Sequence, residues 1–208
     1  HGEALANTEW QPEKSGDTKR EQGIDPMAPM FLFIGRLTPQ KGADLLIEAV
    51  PSVLAARGDA RFVFVGEGHL RASLEGRARE LGVAQAVTFA GGLRTEPRKL
   101  QALLLSCDAV VAPSRSESFG SAVLEAWSAG KPAVATNLGG PGDFVRPGVD
   151  GYLVEREDPG SLAGGVCRIC ENFAHAQAMG AQARERVLRE FCWPAVAMRM
   201  QQIYYEAL

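Results

Sequence analysis

Two carboxylates, Glu117 and Glu125, stand on either side of Gly120. The preceding run Ala109–Ala112 is short and apolar, and Ser121–Ala129 has the pattern of a helix. We therefore expect a buried strand, then a loop carrying Glu117, then a helix carrying Glu125 near its start. Free N–H groups and the helix dipole at that point favour an anionic group such as phosphate. Carboxylates would repel a phosphate, so we expect these two to accept hydrogen bonds from the hydroxyl groups of a sugar or ribose.

Two cations, Arg36 and Lys41, lie between glycines in the loop that follows the apolar run Met30–Ile34. An arginine can form a bidentate fork to phosphate oxygens, and a lysine supplies a point charge beside it. Taken alone, a solvated Arg and Lys on a surface loop are the simpler explanation. The loop does not match the phosphate-binding pattern Gly-x4-Gly-Lys-Ser/Thr, because Gly42 follows the lysine and no Ser or Thr comes after it.

Three further loops are rich in glycine. Gly66–Gly68 begins like a dinucleotide-binding motif, but Arg71 stands where the third glycine belongs, so hydride-transfer chemistry is poorly supported. Gly91–Leu93 permits close backbone approach to a planar base, although a tight turn explains it equally well. Asn137–Asp143 forms another glycine-rich loop. Together with the cations and carboxylates, these loops predict a ligand that carries both a diphosphate and several hydroxyl groups.

Short apolar runs alternate with amphipathic helix patterns along most of the chain. The predicted strands are Met30–Ile34, Arg61–Val65, Val87–Phe89, Ala109–Ala112, Ala133–Thr136 and Tyr152–Val154, the last of them at an edge. The predicted helices are Ala43–Ala56, Leu70–Leu81, Lys99–Ser106, Ser121–Ala129, Ser161–Phe173, Ala174–Glu190 and Trp193–Ala207. This alternation predicts an α/β fold, a Rossmann-like doubly wound parallel sheet followed by C-terminal helices. In such sheets ligands bind outside the carboxyl ends of the strands, where all the loops above would open.

The segment 1–29 is polar, contains three prolines and begins without Met, so we interpret it as a flexible linker within a longer protein. Within it only Asp17–Gln22 has the pattern of a helical turn. Residues 30–208 are expected to form a single domain.

The composition of the chain limits the kinds of partner that it is expected to bind. The net charge is −3, and the 22 Lys and Arg residues are scattered, so no nucleic-acid partner is expected. No apolar run approaches the roughly 18 residues of a transmembrane segment, and no signal-peptide pattern opens the chain, so we expect a cytoplasmic protein. Cys167 and Cys170 have ligand-like spacing, but no second pair accompanies them. Since Asp-x-Asp is absent too, we expect no metal.

Four motifs occur in an order and at spacings that resemble a known family. They are Gly35-Arg36-x4-Lys41-Gly42, then Pro113-Ser114-x2-Glu117-x-Phe119-Gly120-x4-Glu125-Ala126-x3-Gly130-Lys131-Pro132, then Gly139-Gly140, then Gly148-x2-Gly151-Tyr152-Leu153-Val154. From about Phe31 to its end, the chain is similar to the C-terminal half of retaining, nucleotide-sugar-dependent glycosyltransferases. These have the two-domain GT-B architecture and belong to the glycosyl transferases group 1 family. In that family this half binds the sugar donor and the other half binds the acceptor.

The resemblance implies roles for individual residues. Arg36 and Lys41 would neutralise the diphosphate and stabilise the leaving nucleoside diphosphate, without a metal or other cofactor. Glu117 would hold the hydroxyls of the transferred sugar, and Glu125 would accept from the ribose hydroxyls. The base would lie near Gly66, Glu67, Gly92 and Leu93. The other implied donor-binding residues are Gly35, Ser118, Phe119, Gly120 and Ser121.

The resemblance therefore implies a domain that binds a nucleotide sugar and, with an acceptor domain absent from this chain, transfers a hexose. Alone it would bind donor and turn over little. The loop Glu117–Ser121 lacks the cysteine common in glycogen and starch synthases, so polyglucan synthesis is not predicted. Two other functions stay open. A nucleotide-sugar epimerase of similar build would use the same loops, and a non-catalytic nucleotide-sugar-binding module would use them without any reaction.

Overall fold

The protein folds around one parallel sheet of six strands, seen in a computed structural model that describes residues 12–93 and 95–206. The strands are β1 Met30–Ile34, β2 Arg61–Val65, β3 Val87–Gly91, β4 Ala109–Ala112, β5 Ala133–Thr136 and β6 Gly151–Val154. Their order across the sheet is β3-β2-β1-β4-β5-β6, and every neighbouring pair is parallel. The strand order therefore reverses between β1 and β4, which is where ligands bind in doubly wound sheets. The predicted α/β, Rossmann-like sheet is confirmed.

Helices connect the strands and complete the fold. They are α1 Pro12–Glu21, α2 Ala43–Ala56, α3 Arg71–Glu80, α4 Pro97–Ser106, α5 Ser121–Ser128, α6 Gly139–Phe144, α7 Pro159–Glu171, α8 Phe173–Arg186 and α9 Trp193–Glu206. Short 3-10 turns lie at Pro39–Lys41 and Ala84–Ala86, and a π-helical turn lies at Val187–Phe191. The predicted C-terminal helices are thus present, although the π-helical turn interrupts the predicted helix Ala174–Glu190.

Alternate residues of each strand are buried on opposite faces of the sheet, so the domain has two apolar cores. Phe31 and Phe33 of β1 belong to one core, where their rings lie 5.5 Å from Phe62 and 5.4 Å from Phe64 of β2. Leu32, between the two phenylalanines, belongs to the other core. Because side chains alternate along a strand, a sheet covered on both faces needs continuous apolar runs. This explains why such short runs predicted the strands correctly.

Asn137–Asp143 is predicted as a glycine-rich loop, but most of it lies in the short helix α6, Gly139–Phe144. Glycine weakens a helix by about 1 kcal/mol relative to alanine, so local propensity argued against this helix. Its place is set by contact with the loop after β4. A Cβ atom on Gly140 would lie only 2.6 Å from the carbonyl oxygen of Phe119.

The structure describes the segment 1–29 from residue 12 onward, and the earlier residues of the predicted linker lie outside the described part. Helix α1 is longer than the single turn that was predicted. Lys19 of α1 is buried, donates to the carbonyl of Ala28 at 2.8 Å and lies 3.5 Å from Asp108. Ile24 and Ala28 join the same apolar core as Leu32. The second half of the segment is thus packed on the domain, while its role in joining another domain stays a prediction.

A buried carboxylate, Asp150, joins the loop before β6 to helices α5 and α8. The side chain has no exposed surface and accepts hydrogen bonds from the Nε of Arg146 at 2.7 Å and the Nη1 of Arg186 at 3.0 Å. The backbone carbonyl of Asp150 accepts from the indole N–H of Trp127 at 3.0 Å. The Arg186 guanidinium in turn lies 5.4 Å from the centre of the Trp127 ring. These contacts satisfy a charge that would otherwise be costly to bury.

We expect Asp150→Ala to lower the free energy of unfolding by about 3 to 5 kcal/mol, because it leaves the Arg186 guanidinium without its buried partner. Urea denaturation followed by circular dichroism measures this change. Asp17→Ala is the matched control, since Asp17 pairs with Arg20 at 2.7 Å on the exposed face of α1 and should contribute little. Equal losses in the two variants would contradict the role given to Asp150.

Candidate functional site

A cleft lies where β1, β4 and β5 end, at the reversal of strand order. Of the residues singled out by sequence, six line it: Gly35, Lys41, Glu117, Gly120, Ser121 and Glu125. The turn Pro39–Lys41 carries the lysine after β1, and the loop and helix after β4 carry the two carboxylates. The sheet thus brings together groups that are far apart in the chain.

Lys41 and Glu117 form an ion pair inside the cleft, with the Nζ of the lysine 2.6 Å from the Oε2 of the glutamate. The other carboxylate oxygen accepts from the backbone N–H of Gly120 at 3.0 Å, and the hydroxyl of Ser114 lies 3.4 Å from Oε2. Burial by itself would raise the pKa of Glu117, but the hydrogen bonds from Lys41 and Gly120 outweigh it and lower the pKa below its ordinary value. Glu117 is therefore ionised and held in one orientation.

The pKa of Glu125 is shifted in the opposite direction from that of Glu117. Glu125 is half-buried in the first turns of α5, and its carboxylate has no hydrogen bond or ion pair with any residue that the structure describes. Burial raises its pKa above the ordinary value. An acidic group that lines a cleft and lacks a protein partner is a candidate for binding a ligand's hydrogen-bond donors.

Two glycines let the loops around the cleft approach one another closely. Gly42 has φ of +71°, and a Cβ there would lie 1.9 Å from the carbonyl oxygen of Pro113, so the loop after β1 touches the loop after β4. Gly139 has φ of +54°, and a Cβ there would lie 1.7 Å from the carbonyl oxygen of Glu117. No other residue type fits these positions without moving a backbone. The positions of Lys41 and Glu117 depend on these contacts.

Seven of the thirteen predicted site residues lie outside the lining of this cleft, and three of the seven are Arg36, Ser118 and Phe119. The side chain of Arg36 is exposed and makes no ion pair or hydrogen bond with the described residues. Ser118 and Phe119 are exposed beside the cleft, Phe119 to 63%. Contact of these three residues with a donor stays a prediction.

The residues predicted near a base form a second group, beside the cleft rather than in it. Gly66 lies against Gly35, since a Cβ atom on Gly66 would be 1.8 Å from the Gly35 carbonyl oxygen. Gly92 lies against Glu67, since a Cβ atom on Gly92 would be 2.9 Å from the carboxyl carbon of Glu67. The side chain of Leu93 is buried in the core, so only its backbone can face a ligand. Backbone packing thus explains Gly66, whereas the neighbour of Gly92 is a flexible side chain, and base recognition here stays a prediction.

Sequence reasoning did not assign the other polar groups of the cleft. Ser114 and Thr136 line it, and both are buried. Each lies at or just past the carboxyl end of a strand, and this position relative to the predicted strands was the signal available. Pro141 of α6 also lines the cleft, but its contribution could not be predicted because α6 itself was not.

Within residues 12–93 and 95–206, no group of three or more His, Cys, Asp or Glu side chains is placed to hold a metal ion. The expected absence of a metal stays a prediction. No described helix is long and apolar enough to cross a membrane.

The chain matches a family of glycosyltransferases. Residues 15–186 match the sequence pattern of the family described as "Glycosyl transferases group 1". The chain therefore belongs to this family. The resemblance drawn from the four sequence motifs is thus confirmed.

The relatives place the chain as part of a larger architecture. The chain is 34% identical over 202 residues to an uncharacterized glycosyltransferase of Methanocaldococcus jannaschii, covering 97% of this chain and 50% of that protein. It is 36% identical over 177 residues to a glycogen synthase of Mycobacterium tuberculosis, covering 85% and 42%. The structure superposes on Anabaena HepE, solved in complex with UDP, with a TM-score of 0.82 at 23% identity, covering 98% and 54%. The chain thus spans about half the length of the curated relatives it matches, and its fold is that of one half of a GT-B glycosyltransferase.

We expect Glu125→Gln to stabilise the domain at neutral pH. Because the folded state raises the pKa of this carboxyl, it holds the proton more tightly than the unfolded state, and ionisation of Glu125 destabilises the fold. That cost vanishes as the pH falls below about 4, where the carboxyl is protonated in both states. The variant's advantage in urea denaturation should therefore be present at pH 7 and shrink at pH 3.

The matched control is Glu155→Gln, because Glu155 is exposed and its side chain should affect stability little at either pH. A variant at position 125 that is less stable than the wild type at pH 7 would show that the carboxylate has a stabilising partner.

Proposed function

We propose that this chain is the donor-binding domain of a retaining hexosyltransferase that uses a nucleoside-diphosphate sugar. The observation that carries the proposal is the composition of one cleft, in which the Lys41 ammonium, the start of α5 and two carboxylates converge. A diphosphate needs cations and free N–H groups, whereas a sugar and a ribose need acceptors for their hydroxyls. The cleft supplies both kinds of group within the span of one ligand.

Lys41 would bind the diphosphate and stabilise the charge that develops on it as the bond to the sugar breaks. The N–H groups of Ser121 and Ala122 support this assignment, because the first N–H groups of a helix lack a partner within the helix and these two residues line the cleft. Arg36 would add a second cation from the same loop. In this proposal no metal ion is needed to neutralise the leaving group.

The two carboxylates would act on different parts of the donor. Glu117 lies beside Lys41, so it would accept from hydroxyls of the sugar attached to the diphosphate. Glu125 lies on α5 and has no partner among the described residues, so it would accept from the ribose hydroxyls. Its unfavourable burial is expected of a residue kept for binding, since functional positions often cost stability.

A second domain would complete the site. The cleft encloses about 120 Å³, whereas pockets for small ligands usually hold roughly 300 to 1,000 Å³. Helix α9 presents Trp193, Tyr204 and Tyr205 to solvent, exposed by 76%, 65% and 71%. Large aromatic side chains left exposed on one helix are typical of surfaces that contact a partner. We infer that an acceptor-binding half, as expected from the length of the relatives, covers the open side.

We expect Lys41→Ala and Arg36→Ala each to weaken binding of a nucleoside diphosphate by about 1.5 to 3 kcal/mol, the usual contribution of a hydrogen bond to a charged group. Titration calorimetry with UDP, GDP and ADP measures the affinity. Lys99→Ala is the matched control, since Lys99 is an exposed lysine outside the cleft, 3.9 Å from Glu96. Unchanged affinity in both cleft variants would refute the proposed phosphate site.

Glu117→Gln should change the affinity for a nucleoside diphosphate and the affinity for a nucleotide sugar by different amounts. Removing this charge releases Lys41 from its ion pair, so the nucleoside diphosphate should bind more tightly, by about 1 kcal/mol or about fivefold. The nucleotide sugar should gain less, because the amide is a weaker acceptor for sugar hydroxyls than the carboxylate. Calorimetry with both ligands gives the ratio. Glu75→Gln is the control, as Glu75 pairs with Arg71 at 2.9 Å outside the cleft.

The donor itself can be identified by NMR. Chemical-shift perturbation with UDP-glucose, GDP-mannose and ADP-glucose tests the class of donor without the acceptor. Perturbations should centre on Gly120, Ser121 and the loop of Lys41. Product analysis of a longer protein that includes the other half then distinguishes the reactions. Transfer to an acceptor supports the proposal, conversion of the sugar without acceptor indicates an epimerase, and binding without any reaction indicates a non-catalytic module.

A further inference from the structure

Lys41 sits at the end of a 3-10 turn of three residues, Pro39–Lys41. Two backbone hydrogen bonds close the turn: Lys41 donates to Thr38 at 3.1 Å, and Gly42 donates to Pro39 at 3.2 Å. Such short turns are weakly held by their own backbone. Something else must fix the direction of the lysine.

Arg115, on the loop after β4, makes hydrogen bonds on both sides of that lysine. Its backbone N–H donates to the carbonyl of Gln40 at 2.9 Å, and its Nη1 donates to the carbonyl of Pro39 at 2.7 Å. The guanidinium also forms a bidentate pair with Asp44 at the start of α2, with Nη1 to Oδ1 at 2.8 Å and Nη2 to Oδ2 at 2.7 Å. The turn is thus held before and after Lys41 by one residue.

The same residue lies two positions before Glu117, the partner of Lys41. Its contacts therefore join the loop that carries the cation to the loop that carries the carboxylate. Burial alone would raise the pKa of Asp44, but the hydrogen bonds and charge of Arg115 lower it, so the pair is ionised at neutral pH. The Arg115 guanidinium does not line the cleft, and its Nη1 and Nη2 atoms are occupied by Asp44 and the Pro39 carbonyl rather than left for a ligand.

We propose that Arg115 is a positioning residue, whose bidentate pair with Asp44 and backbone contacts hold Lys41 opposite Glu117 and so preform the diphosphate site. This inference rests on the function proposed above for its ligand, but the arrangement of the two loops can be tested without any ligand. The planar fork of arginine is essential, because the single nitrogen of lysine cannot take the place of two nitrogens that bind separate oxygens of Asp44 while one of them also reaches the Pro39 carbonyl.

Arg115→Lys keeps the charge and loses the fork, and Asp44→Asn keeps the shape and loses the charge. In both variants the carboxyl pKa of Glu117, followed by NMR titration, should rise towards its ordinary value, because Lys41 no longer stays at 2.6 Å. Affinity for UDP, GDP or ADP, whichever the wild type binds, should fall about fivefold, because the turn that carries Lys41 is then no longer held in place. In Glu117→Gln, by contrast, the turn keeps its contacts with Arg115 and only the ion pair is lost.

Arg77→Lys is the matched control. Arg77 forms a similar two-bond pair with Glu48, at 2.6 and 3.2 Å, on an exposed surface between α3 and α2. The Arg77→Lys variant should change neither the titration of Glu117 nor the affinity for a nucleotide. A folded Arg115→Lys or Asp44→Asn variant with an unchanged Glu117 titration would overturn the inference. If the wild type binds no nucleotide, the proposed function fails, and the titration still decides the role of Arg115.

Discussion

The close approach of the loops at the carboxyl edge of the sheet is the constraint on which the cleft depends. Gly42 lies against the Pro113 carbonyl, and Gly139 lies against the Glu117 carbonyl, at distances that leave no room for a Cβ atom. These contacts bring the loops after β1, β4 and β5 into one layer. Side chains on separate loops can then meet, and a cleft with defined walls replaces three independent surface loops.

Charges in and around this layer are arranged in two different ways. Lys41 and Glu117 satisfy each other at 2.6 Å, and Arg115 and Asp44 do the same just outside the cleft. Glu125 has no partner among the described residues, and burial raises its pKa. The domain therefore keeps one acidic group unsatisfied where a ligand would supply donors, while the neighbouring charges stay paired and oriented.

The fully buried Asp150 provides a useful contrast to Glu125. Its carboxylate accepts from two arginines, and its carbonyl accepts from Trp127, so its negative charge stabilises the junction of α5, α8 and the loop before β6. Asp150 is fully buried and Glu125 is half-buried, and the further difference between them is the presence of partners. Burial alone would not tell a structural carboxylate from a binding one, whereas its hydrogen bonds do.

The strands could be predicted from the sequence, because a sheet covered on both faces needs apolar runs such as Met30–Ile34. The sequence also indicated residue types that suit a diphosphate and hydroxyl groups. Which of these residues meet depends on the folded arrangement of the loops. Lys41 and Glu117 are 76 positions apart and become partners because β1 and β4 are neighbours at the reversal of strand order. Arg115 and helix α6 could not be predicted, since their roles depend on contacts between loops that no local pattern records.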